Sequence, residues 1–205
     1  MMIKVSAKNT LNSDIVPLFF INQIMATAKR KRIALVAHDN CKHDIVEWAG
    51  WNWKILMKHQ LICTGTTGKL INDALISKQL GVGQNAETDT VDAITEQPQR
   101  LEDKKKIIQP KIIRLKSGPF GGDQQLGAMI AEGRVDILIF FWDPMQPHPH
   151  DVDVKALLRI SVLYNIPSAC NRSTADYLIS SALMDEEYQP KVADYSAYLN
   201  RKIPD

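Results

Sequence analysis

The chain has 205 residues, of which 45% are hydrophobic and 23% charged, with a formal net charge of +2. These values describe an ordinary soluble globular protein folded as one domain around a single sizeable core. The basic residues are spread rather than striped, so there is no case for a nucleic-acid partner, and the short run Lys29 to Arg32 reads as a solvated entry to a strand.

In chain order, the first apolar stretch, IVPLFFINQIMATA, is interrupted by Pro17, Asn22 and Gln23. It is too short to span a membrane and lacks the basic start of a signal peptide. Residues 1–31 are therefore expected to be an N-terminal extension ahead of a domain over 32–205. Cys41, Cys63 and Cys170 form no CxxC pair and leave an odd count, which predicts a reduced, cytoplasmic chain.

RIALVAH (32–38) reads as a buried strand, and DIVEWAGWNWKILMKH (44–59) as a helix with a broad apolar face. LICTGT (61–66) is a second strand, leading into a helix that opens at TGKLINDALI. A polar, charged stretch then breaks the rhythm and reads as a solvent-facing insertion at about 78–110. KIIRL (111–115) is a third strand, followed by the helix QQLGAMIAEG. DILIFFW (136–142) is the most hydrophobic strand, and after the helix VKALLRISVLYN comes the strand IPSAC (166–170). A helix near Ser173 and an amphipathic tail close the chain. Strands alternating with helices predict βαβ units, right-handed crossovers and a parallel sheet covered on both faces. The expected fold is a three-layer α/β/α domain with a five-stranded, mostly parallel sheet of the Rossmann-like or flavodoxin-like kind.

The unusual residues collect just beyond the carboxyl ends of these strands, where ligands bind in open parallel sheets. The ends carry HDNCK (38–42), TGTTG (64–68), SGPFGGDQQ (117–125), WDPMQPHPHD (142–151) and NRST (171–174). In TGTTG, Gly65 and Gly68 permit a tight turn while Thr64, Thr66 and Thr67 offer hydroxyls beside helix N–H groups, a combination that suits a phosphate. The other reading is that one threonine merely caps the helix. Ser117 and Gly118 add donors, and Lys42 adds charge. Asp123 is either a helix-start acid or a general base given room by Gly121 and Gly122. Asp39, Asp143 and Asp153 are further acids at the same edge. His148, His150 and Asp151 lack the partner spacing of a metal site, so no metal is expected. A histidine acting as an electrophile towards a carbonyl is the alternative use of that loop.

VAHDNCK, TGTTG, SGPFGGDQQLGAMI, ILIFFWDPMQPHPHDVDVKALLR and the asparagine after IPSAC together resemble the methylglyoxal synthase family over about Arg32 to Asp176, apart from the insertion. The resemblance implies conversion of dihydroxyacetone phosphate to methylglyoxal and inorganic phosphate, without metal or organic cofactor. It also implies a homohexamer inhibited by phosphate. It assigns catalysis to Asp123, His150 and Asp143, with Asp39 and Asp153 as supporting acids. Substrate binding falls to His38, Lys42, Thr64, Gly65, Thr66, Thr67, Ser117, Gly118 and His150. The family's C-terminal arginine has no clean counterpart, Arg201 and Lys202 lying nearby. Two other functions share the superfold or the chemistry. A noncatalytic effector-binding module would not need Asp123, and an isomerase would stop at the enediol.

Overall fold

The structure, a computed structural model, describes residues 27–81, 107–146 and 151–201. Five strands form one parallel sheet: β1 (Arg32–Ala37), β2 (Gln60–Thr64), β3 (Ile112–Leu115), β4 (Ile137–Phe141) and β5 (Ser168–Ala169), in the order β3-β2-β1-β4-β5. β1 is central, pairing Arg32 to Leu35 with Gln60 to Cys63 on one side and Ile33 to Ala37 with Ile137 to Phe141 on the other. Its apolar run is continuous because both faces are covered. Ile33, Leu35 and Ala37 enter one core, with Ile45, Trp48, Ile71 and Leu75 from helices on that side. Ala34 and Val36 enter the other, with Leu126, Ile130, Val154 and Leu157.

The helices are α1 (Lys42–Trp51), α2 (Trp53–Leu56), α3 (Gly65–Leu80), α4 (Gly122–Ala131), α5 (Asp151–Leu163), α6 (Arg172–Ile179) and α7 (Ser196–Leu199). The single helix expected over 44–59 is thus two. Asn52 interrupts it at φ −91°, ψ 16°, its backbone N–H and its side-chain amide both donating to the Trp48 carbonyl at 3.0 Å. Of the tryptophans on this segment, Trp48 is buried and donates its indole N–H to Asp176 Oδ1 at 2.8 Å, whereas Trp51 is 83% exposed. β2 ends two residues earlier than expected because Gly65 already starts α3. β5 is reduced to two residues.

α3 runs through position 78, where the insertion was expected to begin, and ends at Gly81 in the left-handed conformation, φ 72°. Residues 82–106 of the insertion lie outside the described residues. Its two ends meet: the Gln79 side chain donates to the Ile108 carbonyl at 2.9 Å and accepts from the Ile108 N–H at 3.0 Å. The excursion therefore leaves and rejoins the domain at one point.

The amino ends of the strands form a separate polar network. Arg32 grips the buried Asp136 through its backbone N–H at 2.7 Å and its guanidinium at 2.5 and 3.0 Å. The buried Lys31 ammonium donates to Thr27 Oγ1 and to the Glu186 carbonyl, and Thr27 bridges Tyr188, so residues 27–31 are tied to the C-terminal segment. Residues 1–26 of the expected extension lie outside the described residues. His59, 2% exposed, accepts the Lys31 backbone N–H on Nδ1 at 3.1 Å, and its Nε2 has no partner among the described residues.

Two predictions follow from this packing. Burial lowers the His59 pKa from its ordinary value of 6.5, so the fold favours the neutral ring while the unfolded chain takes up a proton. Stability is then full above the unfolded value and falls as pH drops below it through the folded value. Thermal melts from about pH 7 to about pH 5 should fall more steeply for the wild type than for His59→Gln, which keeps an acceptor for Lys31 but cannot titrate. Joining residue 81 to residue 107 through a short glycine-serine linker should leave the melting temperature within about 5 °C, because the Gln79–Ile108 clasp already closes the loop.

Candidate active site

Because β2 lies on one side of β1 and β4 on the other, the connections leaving their carboxyl ends diverge. The crevice left between them is where open α/β sheets bind ligands. A cavity of about 360 Å³ occupies that position. Val36, Ala37 and Phe140 form its floor. His38, Asp39 and Lys42 reach it from the β1–α1 corner, Thr64, Thr66 and Thr67 from the β2–α3 corner, and Ser117, Gly118 and Asp123 from the β3–α4 corner.

At the second corner Thr64 is the N-cap of α3 in extended conformation, and its side chain makes no capping hydrogen bond. The cap reading of that threonine does not hold. Gly65 does not itself line the cavity but shapes it. Its φ is +28°, and a Cβ there would lie 2.7 Å from Ser117 Cβ. Only a glycine permits both the conformation and the approach. Thr67 is buried beneath the exposed Thr66.

The third corner turns through a single 3₁₀ turn, Gly118–Phe120, and Gly121 at φ 96° serves as N-cap of α4. Asp123 is therefore inside the first turn rather than capping it. It is 4% exposed and faces the cavity. Gly122 donates to the Ser117 carbonyl at 3.0 Å. A Cβ at Gly122 would stand 2.1 Å from the Lys116 carbonyl oxygen, so this glycine is what lets the acid's helix close against the turn before it.

At the first corner His38, 5% exposed, accepts the Asp143 backbone N–H on Nδ1 at 3.1 Å, and its ring meets Phe140 edge-on at 5.0 Å. Nδ1 being the acceptor, the neutral ring carries its hydrogen on Nε2. Asp143, 8% exposed, accepts from Asn40 Nδ2 at 2.8 Å and from the Met145 N–H at 2.9 Å. Lys42 Nζ is ion-paired with Asp39, whose side chain is largely exposed. Burial together with the Asp143 and Asp44 carboxylates pushes the Cys41 thiol above its ordinary value, so this neighbour stays protonated and is no nucleophile.

The structure thus brings together nine of the residues singled out in the sequence: His38, Asp39, Lys42, Thr64, Thr66, Thr67, Ser117, Gly118 and Asp123. Asp143 stands behind His38 rather than in the lining. Asp153 lies in the first turn of α5, outside the lining. His148 and His150 lie outside the described residues, as does Lys202. Arg201 stacks on Tyr198, 3.6 Å from the ring centre. Sequence reasoning passed over Asn40, although it sits inside HDNCK; the available signal was an amide two residues past a strand-end histidine. Among the described residues, one group has ligand atoms close enough for a metal: His43, Asp44 and Glu47, all exposed and outside this cavity, with Glu47 already held by Arg172 at 3.0 Å.

Residues 44–170 match the family model described as "MGS-like domain". The methylglyoxal synthase of Maridesulfovibrio salexigens is 51% identical over 176 residues, covering 86% of this chain and 99% of the relative. That of Coxiella burnetii is 43% identical over 173 residues, covering 84% and 98%. The crystal structure of methylglyoxal synthase from Elizabethkingia anophelis superposes with a TM-score of 0.66 at 45% identity, covering 87% of this chain and 96% of the other.

The two α4 glycines offer a matched test of the corner's geometry. Gly122→Ala should cost about 3 kcal/mol or more, since the clash is with backbone and not with a flexible side chain. Gly127→Ala, with nothing within 4 Å of its Cβ, should instead gain about 0.5–1 kcal/mol. Urea unfolding of the two variants beside the wild type measures both signs.

Proposed function

The chain belongs to the methylglyoxal synthase family, and we propose that it converts dihydroxyacetone phosphate to methylglyoxal and inorganic phosphate in the cavity at the carboxyl edge of its sheet. The observation that carries this reading is the buried carboxylate of Asp123 sharing one cavity with a threonine-glycine turn, a lysine and an oriented imidazole.

Asp123 takes a proton from the hydroxymethyl carbon, which the adjacent ketone makes acidic. The electron pair moves into the carbon–carbon bond and gives an enediolate. A hydrogen-bond donor then stabilises the enediolate oxygen. The family resemblance gives that role to His150, and within the described residues His38 supplies a second imidazole with Nε2 as its donor. Removing one preorganised donor of this type costs about 3–4 kcal/mol. The bridging carbon–oxygen bond breaks next, and its electron pair leaves with the phosphate. The hydroxymethyl oxygen loses its proton as the aldehyde forms, and the remaining enol takes a proton on its methylene carbon to give methylglyoxal. No metal or organic cofactor enters this sequence.

Elimination is favoured when the breaking bond stands perpendicular to the enediolate plane, where it overlaps the π system. The threonine-glycine turn with Ser117, Gly118 and Lys42 holds the phosphate in that orientation and stabilises its departing charge. Asp143 acts behind His38, and the proton taken up by Asp123 is available to return to the methylene carbon. Asp39 and Asp153 are supporting acids, Asp39 in the lining beside Lys42 and Asp153 outside it. We extend the proposal to a cytoplasmic homohexamer inhibited by its own product phosphate. Exposed Trp51, Phe120 and Tyr177, each about four-fifths accessible in the single chain, support burial against further copies.

Incubation with dihydroxyacetone phosphate tests the reading. Equal amounts of methylglyoxal and phosphate are expected. Glyceraldehyde phosphate instead would mark an isomerase, and tight binding without turnover would mark an effector module. Asp123→Asn should lower kcat by about a hundredfold to ten-thousandfold while its thermal unfolding stays cooperative. Turnover near the wild-type rate in that variant would move the base elsewhere.

A further inference from the structure

Asn40 belongs to none of the groups assigned above, yet its side chain is the bridge between two corners of the site. It is exposed, on the 3₁₀ turn Asp39–Cys41 that follows β1, and its Nδ2 donates at 2.8 Å to Oδ2 of Asp143, on the loop that follows β4. The contact fixes the amide's orientation, because only the NH₂ end of an asparagine can face a carboxylate. The other carboxylate oxygen of Asp143 accepts the Met145 N–H at 2.9 Å, an Asx-type turn that sets the loop's direction. With its side chain held at both oxygens, Asp143 has little freedom to swing its peptide plane. That plane carries the N–H that donates to His38 Nδ1 at 3.1 Å. His38 in turn donates its own backbone N–H to the Phe141 carbonyl at 3.2 Å, so the ring is referenced to β4 from both its main chain and its side chain.

Resting on the reading of the cavity given above, we propose that Asn40 is a positioning residue for this reaction: by pinning the Asp143 carboxylate it keeps the Asp143 N–H on His38 Nδ1 and so holds His38 in the Nε2–H form, with its ring aimed for substrate. An imidazole that must donate needs one defined tautomer. A backbone N–H on Nδ1 selects that tautomer without placing a further charge against the ring. The arrangement depends on the loop after β4 staying in register with the turn after β1, and the Asn40 side chain ties the Asp143 carboxylate to that turn.

The effect reads as a loss of ordering rather than of binding. Asn40→Ala should lower kcat by about tenfold or more with KM changed by less than about threefold, as for other outer hydrogen-bond partners of functional imidazoles. Asn40→Asp, which sets a second carboxylate against Asp143, should be worse than alanine, and Asn40→Gln, which retains the donor, should recover part of the loss. Nitrogen-15 spectra of the histidine rings in the full-length protein give the readout that a merely structural role would not move. The wild type should show His38 as the Nε2–H tautomer, and Asn40→Ala should show mixed or exchanging tautomers. An unchanged His38 tautomer in Asn40→Ala overturns the proposal whatever its turnover, as does wild-type kcat in the same variant. Because the spectra do not depend on catalysis, wild-type turnover by His38→Ala would trace the failure to the underlying reading of the site instead of to Asn40.

Discussion

β1 has neither a free edge nor a free face, and the placement of every group in the site follows from that. Its backbone is paired on both sides and its side chains fill both cores, so polar chemistry can leave the strand only at its ends. Since the sheet order reverses across β1, the chain departs from β1 and β2 on one side and from β4 on the other, and the gap between them is the cavity. The two ends of the sheet are used differently. At the amino end, Arg32 and Asp136 satisfy each other, while the buried Lys31 holds Thr27 and the Glu186 carbonyl and so ties the tail. His59 Nε2 has no hydrogen-bond partner among the described residues. At the carboxyl end, the buried His38 and Asp123 face space that a ligand can fill, with the buried Asp143 behind His38.

Much of this was legible in the sequence because two-sided burial writes itself as continuous apolar runs. RIALVA and ILIFF are strands with no polar face to alternate, and the helices between them carry the periodicity that forces parallel pairing. The residues that line the cavity were legible for a related reason: polar clusters fell at the ends of those runs, and nothing in a packed core explains a carboxylate between two glycines and two glutamines. What failed depends on single contacts that periodicity does not encode. Asn52 ends one helix and starts the next through its own backbone turn, a break the apolar face around it does not reveal. Gly65 ends β2 because Ser117, more than fifty positions later, occupies the space a side chain would need. Asn40 carries no periodic signal, and its contact with Asp143 exists only because the fold places the loop after β4 beside it. His150 stays assigned by resemblance alone.

The same contacts bear on why the proposed chemistry ends in elimination. Enediolate formation needs only a base and a donor, whereas the choice between isomerisation and phosphate loss turns on one torsion, that of the bridging carbon–oxygen bond against the enediolate plane. Fixing a torsion requires the group that grips the phosphate and the group that takes the proton to be rigid with respect to each other. Here a single dipeptide joins the two corners proposed for those roles. The Lys116 carbonyl accepts the Gly65 N–H at 3.2 Å, and the Ser117 carbonyl accepts the N–H groups of both Phe120 and Gly122 at 3.0 Å. Lys116 is itself held by the Gln125 side chain at 2.8 Å, one turn along the helix that carries Asp123. Gly65 and Gly122 are the two positions where a Cβ would drive these segments apart. Near-attack geometry is lost when reacting groups shift by about 1 Å. On the proposed mechanism, a scaffold that packs backbone on backbone between the two corners denies the substrate that freedom, and with it the planar arrangement in which phosphate would be retained.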